Sequence, residues 1–199
     1  MIERQAAEGK REALVAAAYQ EIASRGFEGL RTREVAGAVG VNIATLHYYF
    51  PSKEDLIKGV IGYAMSRFQS TLAAGGTASE RLRAHFRGLR RLSREEPELF
   101  AVMGELMLRA GRDPALGEII RKTNEFWIAT LRSLIRGARD ERAVSRDIDP
   151  AGMAAVIVAT LKGVYLLRGP SAPTADLETT LRQLERLLGL TRKPSEPVT

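Results

Sequence analysis

Thr32-Arg33-Glu34-Val35-Ala36-Gly37-Ala38-Val39-Gly40-Val41-Asn42-Ile43-Ala44-Thr45-Leu46-His47-Tyr48-Tyr49-Phe50 is the stretch whose reading decides the fold. Thr32 is a candidate N-cap, and Glu34 in the first turn favours the positive end of the helix dipole. Gly40 supplies a position where a left-handed backbone costs little. Asn42 is a second N-cap candidate, opening a helix of one to two turns that ends near Phe50-Pro51. Val35, Ala36, Val39, Val41 and Leu46 offer small apolar groups to lock the two short helices together. A short helix, a glycine turn and a second short helix form the length grammar of a helix-turn-helix, whose second helix enters the major groove of DNA. Spacing of this kind also occurs in many helical proteins that never meet DNA.

Upstream, Leu14, Ala17, Ala18, Ile22 and Ala23 recur at helical spacing between Lys10 and Arg25, and Gly26 stops that helix. Downstream, Ser52 caps the next helix, with Asp55 placed to close a capping box, and the helix runs to about Leu72 before Gly75-Gly76. Further helices are expected over 79–94, 98–110, 115–140, 150–168 and 175–188. A loop is expected at Gly169-Pro170-Ser171-Ala172-Pro173 and a flexible tail at 191–199. No segment alternates as a strand would. The fold class is all-α, an N-terminal three-helix bundle over 1–55 followed by a larger helical domain over 56–190.

Composition narrows the function. With 199 residues, 45% apolar and 27% charged, the chain can bury a core. It has no cysteine and only two histidines, His47 and His85, so thiolate chemistry is excluded and no metal site is expected. It carries no Gly-rich phosphate loop and no GxSxG, and neither an enzyme nor a cofactor is expected. The longest largely apolar run, Ala151 to Leu161, is stopped by Lys162, short of the ~20 residues of a membrane span. The N-terminus lacks the apolar core of a signal peptide, so a soluble, cytoplasmic protein is expected. The net charge is +6, yet it does not single out the N-terminal third. Within residues 1–60, eight cations (Arg4, Lys10, Arg11, Arg25, Arg31, Arg33, Lys53, Lys58) balance eight acids (Glu3, Glu8, Glu12, Glu21, Glu28, Glu34, Glu54, Asp55).

The segment Gly26-Phe27-Glu28-Gly29-Leu30-Arg31-Thr32-Arg33-Glu34-Val35-Ala36, with Gly40 through Leu56, resembles the helix-turn-helix of the TetR family of bacterial regulators. The resemblance covers about residues 10–60. It implies DNA contacts from Thr32, Arg33, Asn42, Ile43, Ala44, Thr45, His47, Tyr48, Tyr49 and Lys53. Base reading falls to Asn42, Ile43 and Ala44 at the start of the second helix, where Ile43 and Ala44 offer only apolar contact to a thymine methyl. The others lie toward the phosphate backbone, which carries much of the affinity and no sequence information, and Arg33 could reach a phosphate or a base edge. His47 stands where the family usually has tyrosine, and Asn42 replaces the more usual serine. Each residue also has a plain alternative: Phe50 as core, Arg33 as an ion-paired surface group, Lys53 as surface decoration.

The C-terminal part is less explicit. Arg83, Arg87, Arg90, Arg91 and Arg94 share a helix face, either an anion-binding surface or a solvated one. Phe86, Phe100, Met103, Met107, Trp127 and Tyr165 could line an apolar ligand pocket, although at helical spacing core packing is the default for most of them. The resemblance places an inducer pocket in this region without naming its residues. Ala151, Ala155, Ala159 and Gly163 form a ridge of small side chains, and Leu177, Leu181, Leu184 and Leu188 an apolar stripe. The two could pair across a two-fold axis into a four-helix bundle, or pack internally. The expected function is a ligand-responsive regulator, a repressor by resemblance, that binds double-stranded operator DNA as a homodimer. A helical interaction protein without specific DNA binding is the alternative.

Overall fold

The computed structural model describes residues 2–167 and 176–190, with no side-chain description for 2–4, Tyr165 and Leu167. Within these residues the chain forms nine α-helices and no strand. They are α1 (Ile2–Gly29), α2 (Thr32–Ala38), α3 (Ile43–Tyr49), α4 (Lys53–Gln69), α5 (Ala78–Glu95), α6 (Pro97–Ala110), α7 (Pro114–Asp140), α8 (Pro150–Leu167) and α9 (Leu177–Leu187). The expected 169–173 loop and the 191–199 tail lie outside the described residues.

The local signals account for most boundaries. Asn42, Ser52, Thr77, Asp113 and Asp176 each accept a backbone N–H at the start of α3, α4, α5, α7 and α9. Thr77 and Glu80 close a full capping box. At α4 the Asp55 carboxylate instead accepts the Ser52 hydroxyl, at 2.7 Å. Pro97 and Pro114 stand at the first positions of α6 and α7, where the missing N–H had no partner to lose. Two expectations at the N-terminus need correction. The first helix begins by Ile2 rather than Lys10, and Gly26, at φ 68°, breaks it into two pieces that continue to Gly29. Thr32 is the first residue of α2, and Arg31 holds the N-cap position. The Arg31 guanidinium turns back onto the Glu28 carbonyl and caps nothing in α2.

Leu14, Ala18 and Ile22 of α1 meet Val35, Leu46, Phe50, Leu56 and Val60 in a buried core that fixes α2 and α3 against α1 and α4. Each fully buried valine, leucine, isoleucine or phenylalanine here stabilises by about 1.5–3 kcal/mol relative to exposure. In the larger part, α7 packs against α5, α6 and α8, while α9 lies across α5. α4 contacts both α1 and α6, so the expected division at 55/56 falls in the first turn of a helix shared by the two parts.

Candidate nucleic-acid interface and ligand pocket

The turn between α2 and α3 is held by its own backbone. Gly40, at φ 72°, donates to the Gly37 carbonyl, and Val41 donates to Ala36, both at 3.0 Å. Leu46 is fully buried under α3, which fixes the roll of that helix and sends Ala44, His47 and Tyr48 outward. Tyr48 is 81% exposed, which is extreme for a large aromatic ring in a folded domain. Its ring meets Tyr49 edge-on at 5.2 Å, which holds the pair without covering it. Phe50, by contrast, is core, with the Arg11 guanidinium over its ring.

Asn42 has a divided role. Its Oδ1 accepts the Thr45 N–H at 2.8 Å and the Thr45 hydroxyl at 3.0 Å. That leaves the Nδ2 amide hydrogens as the donors available to a ligand. Thr45 is correspondingly half-buried with its hydroxyl hydrogen engaged, and Ile43 is half-buried against the core.

The even charge count of the first 60 residues conceals an uneven distribution. Arg25 is engaged by Glu21 and Glu34, and Lys58 by Asp55 at 2.9 Å. Arg33 and Lys53 make no ion pair among the described residues. Because Glu34 is taken by Arg25, Arg33 stays exposed and uncompensated. Two free cations therefore stand at the first turns of α2 and α4, the helices that precede and follow α3 in the chain.

A pocket opens among α4, α6, α7 and α8, lined by Met65, Phe68, Gln69 and Leu72, by Met103 and Met107, by Ile120, Thr123, Asn124, Phe126 and Trp127, and by Lys162. Its cavity volume is about 50 Å³. Behind it lies a buried polar chain. The Trp127 indole N–H donates to His85 Nε2 at 3.0 Å, and His85 Nδ1 meets Thr71 Oγ1 at 2.6 Å. An indole N–H can only donate, so Nε2 accepts and the proton sits on Nδ1. Thr71 then passes its own hydroxyl hydrogen to the Phe68 carbonyl at 2.6 Å. Every member is satisfied only with a neutral imidazole, and burial pushes the His85 pKa down to about 4. The chain thus runs from the pocket wall on α7, through α5, to the end of α4.

Comparison with known proteins agrees with this architecture. Residues 14–60 match the bacterial regulatory proteins of the tetR family, and residues 78–191 match the C-terminal part of the BetI-type transcriptional repressors. The chain belongs to the TetR family. It is 28% identical to the HTH-type transcriptional regulator BetI of Rhizobium meliloti, over 88% of this chain and 86% of that one. It is 31% identical to the HTH-type transcriptional repressor KstR of Mycolicibacterium smegmatis, over 84% of this chain and 81% of that one. A regulator from Saccharomonospora viridis, solved with choline, shares the fold at a TM-score of 0.72 and 22% identity, covering 90% of this chain and 94% of that one. The chain is a transcriptional regulator with a DNA-binding helix-turn-helix, and its relatives are regulators rather than enzymes. No helix among the described residues is long and apolar enough to cross a membrane.

In this TetR-family chain the expected DNA-facing residues lie on α3, at its cap Asn42 and in the first turns of α2 and α4; Ala44, His47 and Tyr48 are exposed, whereas Thr45 is half-buried and Ile43 and Tyr49 are half-buried against the core. The pocket expectation divides. Met103, Met107 and Trp127 line it, whereas Phe86 and Phe100 are fully buried core. Phe100 lies behind the lining, edge-on to Phe68 at 5.7 Å. The Tyr165 side chain lies outside the described residues. Sequence reading missed the α4 lining and Lys162. The signal for Lys162 was present, since it is the lone charged residue of α8.

The dimer expectation divides as well. Ala151, Ala155 and Ala159 are exposed, and among the described residues nothing beyond Gly163's own helix backbone stands within 4 Å of where a Cβ would be. Leu181, Leu184 and Leu188 are instead buried in their own chain, because α9 packs on α5. The arginine face of α5 secures that packing: Arg90 pairs with Glu185 at 2.5 Å, Arg94 with Glu178 at 2.9 Å, and Arg83 donates to the Leu190 carbonyl at 3.1 Å. Most of that face is neither a free anion site nor simply solvated.

Proposed function

We propose that the protein represses transcription in the cytoplasm as a homodimer gripping a pseudo-palindromic operator, and that a small molecule in the α4–α6–α7–α8 pocket releases it. The observation that carries this reading is the α3 face, open to solvent and flanked by the uncompensated Arg33 and Lys53. In this arrangement Asn42, Ile43 and Ala44 read base edges. Thr32, Arg33, Thr45, His47, Tyr48, Tyr49 and Lys53 hold the backbone.

The exposed small-residue ridge of α8, with Val156 and Leu166 exposed beside it, is the surface offered to the second subunit. A two-fold pairing there sets two copies of α3 one helical turn of DNA apart, about 34–36 Å, or a multiple of it.

α4 carries the coupling. Its first turn holds Lys53 beside α3, and its last turns hold Met65, Phe68 and Gln69 in the pocket wall. A ligand that pushes on those residues tilts α4 and alters the separation of the two heads. The Saccharomonospora viridis neighbour holds a small molecule in the same fold, which supports a ligand-responsive reading.

The test is reciprocal titration. A small molecule that quenches the single tryptophan, Trp127, is expected to weaken operator binding, and operator to weaken that small molecule by the same factor. Binding at Trp127 that leaves operator affinity unchanged would sink the release mechanism.

A further inference from the structure

We infer that the pocket takes an organic carboxylate with a compact apolar body, its carboxylate paired with the ammonium of Lys162. The inference rests on the ligand-responsive reading above and names the chemical class that reading leaves open. Among the described residues, Lys162 is the one charged residue in the pocket lining, and no aspartate or glutamate stands there. It makes no ion pair and no hydrogen bond among the described residues. Burial lowers its pKa, with no charge among the described residues offsetting the loss of water. An ammonium held against apolar walls without a counter-charge is a cost that an anionic ligand removes.

The other polar groups suit the same ligand. The side-chain amides of Gln69 and Asn124 make no hydrogen bond among the described residues, so their N–H groups are free for a second carboxylate oxygen. The Thr123 hydroxyl hydrogen is committed to the Ile119 carbonyl, which makes that residue a wall rather than a donor. The aromatic rings of Phe68, Phe126 and Trp127 could by themselves cage a quaternary ammonium. Lys162 beside them reverses that preference, because a like charge faces the cation and no carboxylate balances it. A cation such as the choline held by the Saccharomonospora viridis neighbour is therefore the wrong charge for this pocket.

Size follows from the cavity. About 50 Å³ is less than the ~150 Å³ of an engineered cavity that takes up benzene. The body of the ligand enters by displacing Met65, Met103 and Met107, whose unbranched side chains repack at low cost, and Phe126, which is 55% exposed at the mouth.

The test uses the full chain and the fluorescence of Trp127. Butyrate, hexanoate and phenylacetate are titrated beside butyramide, hexanamide, phenylacetamide and choline. At least one carboxylate is expected to bind roughly ten- to hundred-fold tighter than its amide, the factor expected of one charge-assisted hydrogen bond. Lys162→Met should erase that acid-over-amide ratio, and Lys162→Arg should keep most of it. Unchanged circular dichroism and melting of both variants establish that the fold is intact. No carboxylate binding, an amide or choline binding as well as the acid, or an unaltered ratio in Lys162→Met would each overturn the proposal. Operator binding measured on the same samples separates the two readings. A carboxylate that binds through Lys162 without affecting DNA keeps the ligand class and discards the release mechanism.

Discussion

Trp127 on α7 donates its indole hydrogen to Nε2 of the buried His85 on α5, at 3.0 Å, and so ties the wall of the pocket to the core behind it. Because Thr71 and the Phe68 carbonyl continue the chain, a movement of the Trp127 ring reaches the last turn of α4 without crossing a gap. Gly88 makes the contact possible, since a Cβ there would stand 2.6 Å from Thr71 Cβ.

Trp127→Phe should leave His85 Nε2 buried without a donor, at a cost of roughly 1–3 kcal/mol in unfolding free energy. The double variant Trp127→Phe with His85→Leu should lose less than the sum of the two single variants, since both unmet groups disappear together. Urea unfolding at fixed protein concentration measures this, and strict additivity would mean that the two side chains are not coupled.

Stability should also depend on pH through His85. Its folded pKa, about 4, lies below the unfolded value near 6.5, so between these values the unfolded chain binds the extra proton. Stability is then complete above about pH 6.5 and falls as pH drops toward 4, by about 3 kcal/mol in all. Asp and Glu carboxylates titrate near the lower end, so pH 6.5 to 5 is the diagnostic range. His85→Gln, measured by denaturant titration, should flatten the curve there. An equally steep curve in the variant would place the titrating group elsewhere.

At the DNA face, Lys53→Ala should weaken binding to all duplexes alike and lower the slope of log affinity against log salt by about one unit. Ile43→Ala should instead change the ranking of operator variants. Competition binding against a set of single-base variants at several salt concentrations distinguishes the two. A change of sequence preference in Lys53→Ala would contradict its assignment to the backbone.

Ala155→Arg places a long cation on the exposed α8 ridge, where it touches little of its own chain. Sedimentation should find the variant monomeric, with an unaltered helical spectrum and weaker operator binding. A variant that stays dimeric would move the interface off α8.

Much of this was legible in the sequence because local rules wrote it there. Asn42, Ser52 and Gly40 announced the helix-turn-helix through capping and backbone preference, and the structure keeps those roles. Arg31, not Thr32, holds the N-cap position of α2 through its extended backbone, with no side-chain cap there, while its guanidinium folds back on Glu28; no propensity encodes that arrangement. The buried leucines of α9 and the inward Phe86 and Phe100 were ambiguous for a physical reason. A helical stripe shows that a face is apolar but not whether its own chain or another surface covers it. Lys162 was visible only as an interruption in an apolar run, and its meaning depended on α4, α6 and α7 arriving around it. The neutral count of the head misled in the same way, since pairing of Arg25 with Glu34 is a tertiary fact.

The most direct test is selection of bound sequences from a random duplex library by the purified protein at two salt concentrations. The account predicts an enriched pseudo-palindrome with half-sites about one helical turn apart and an affinity that falls steeply as salt rises. Weak, uniform binding with no enriched sequence, in protein shown by Trp127 fluorescence to be free of bound ligand, would contradict it and favour a helical protein that acts through other partners.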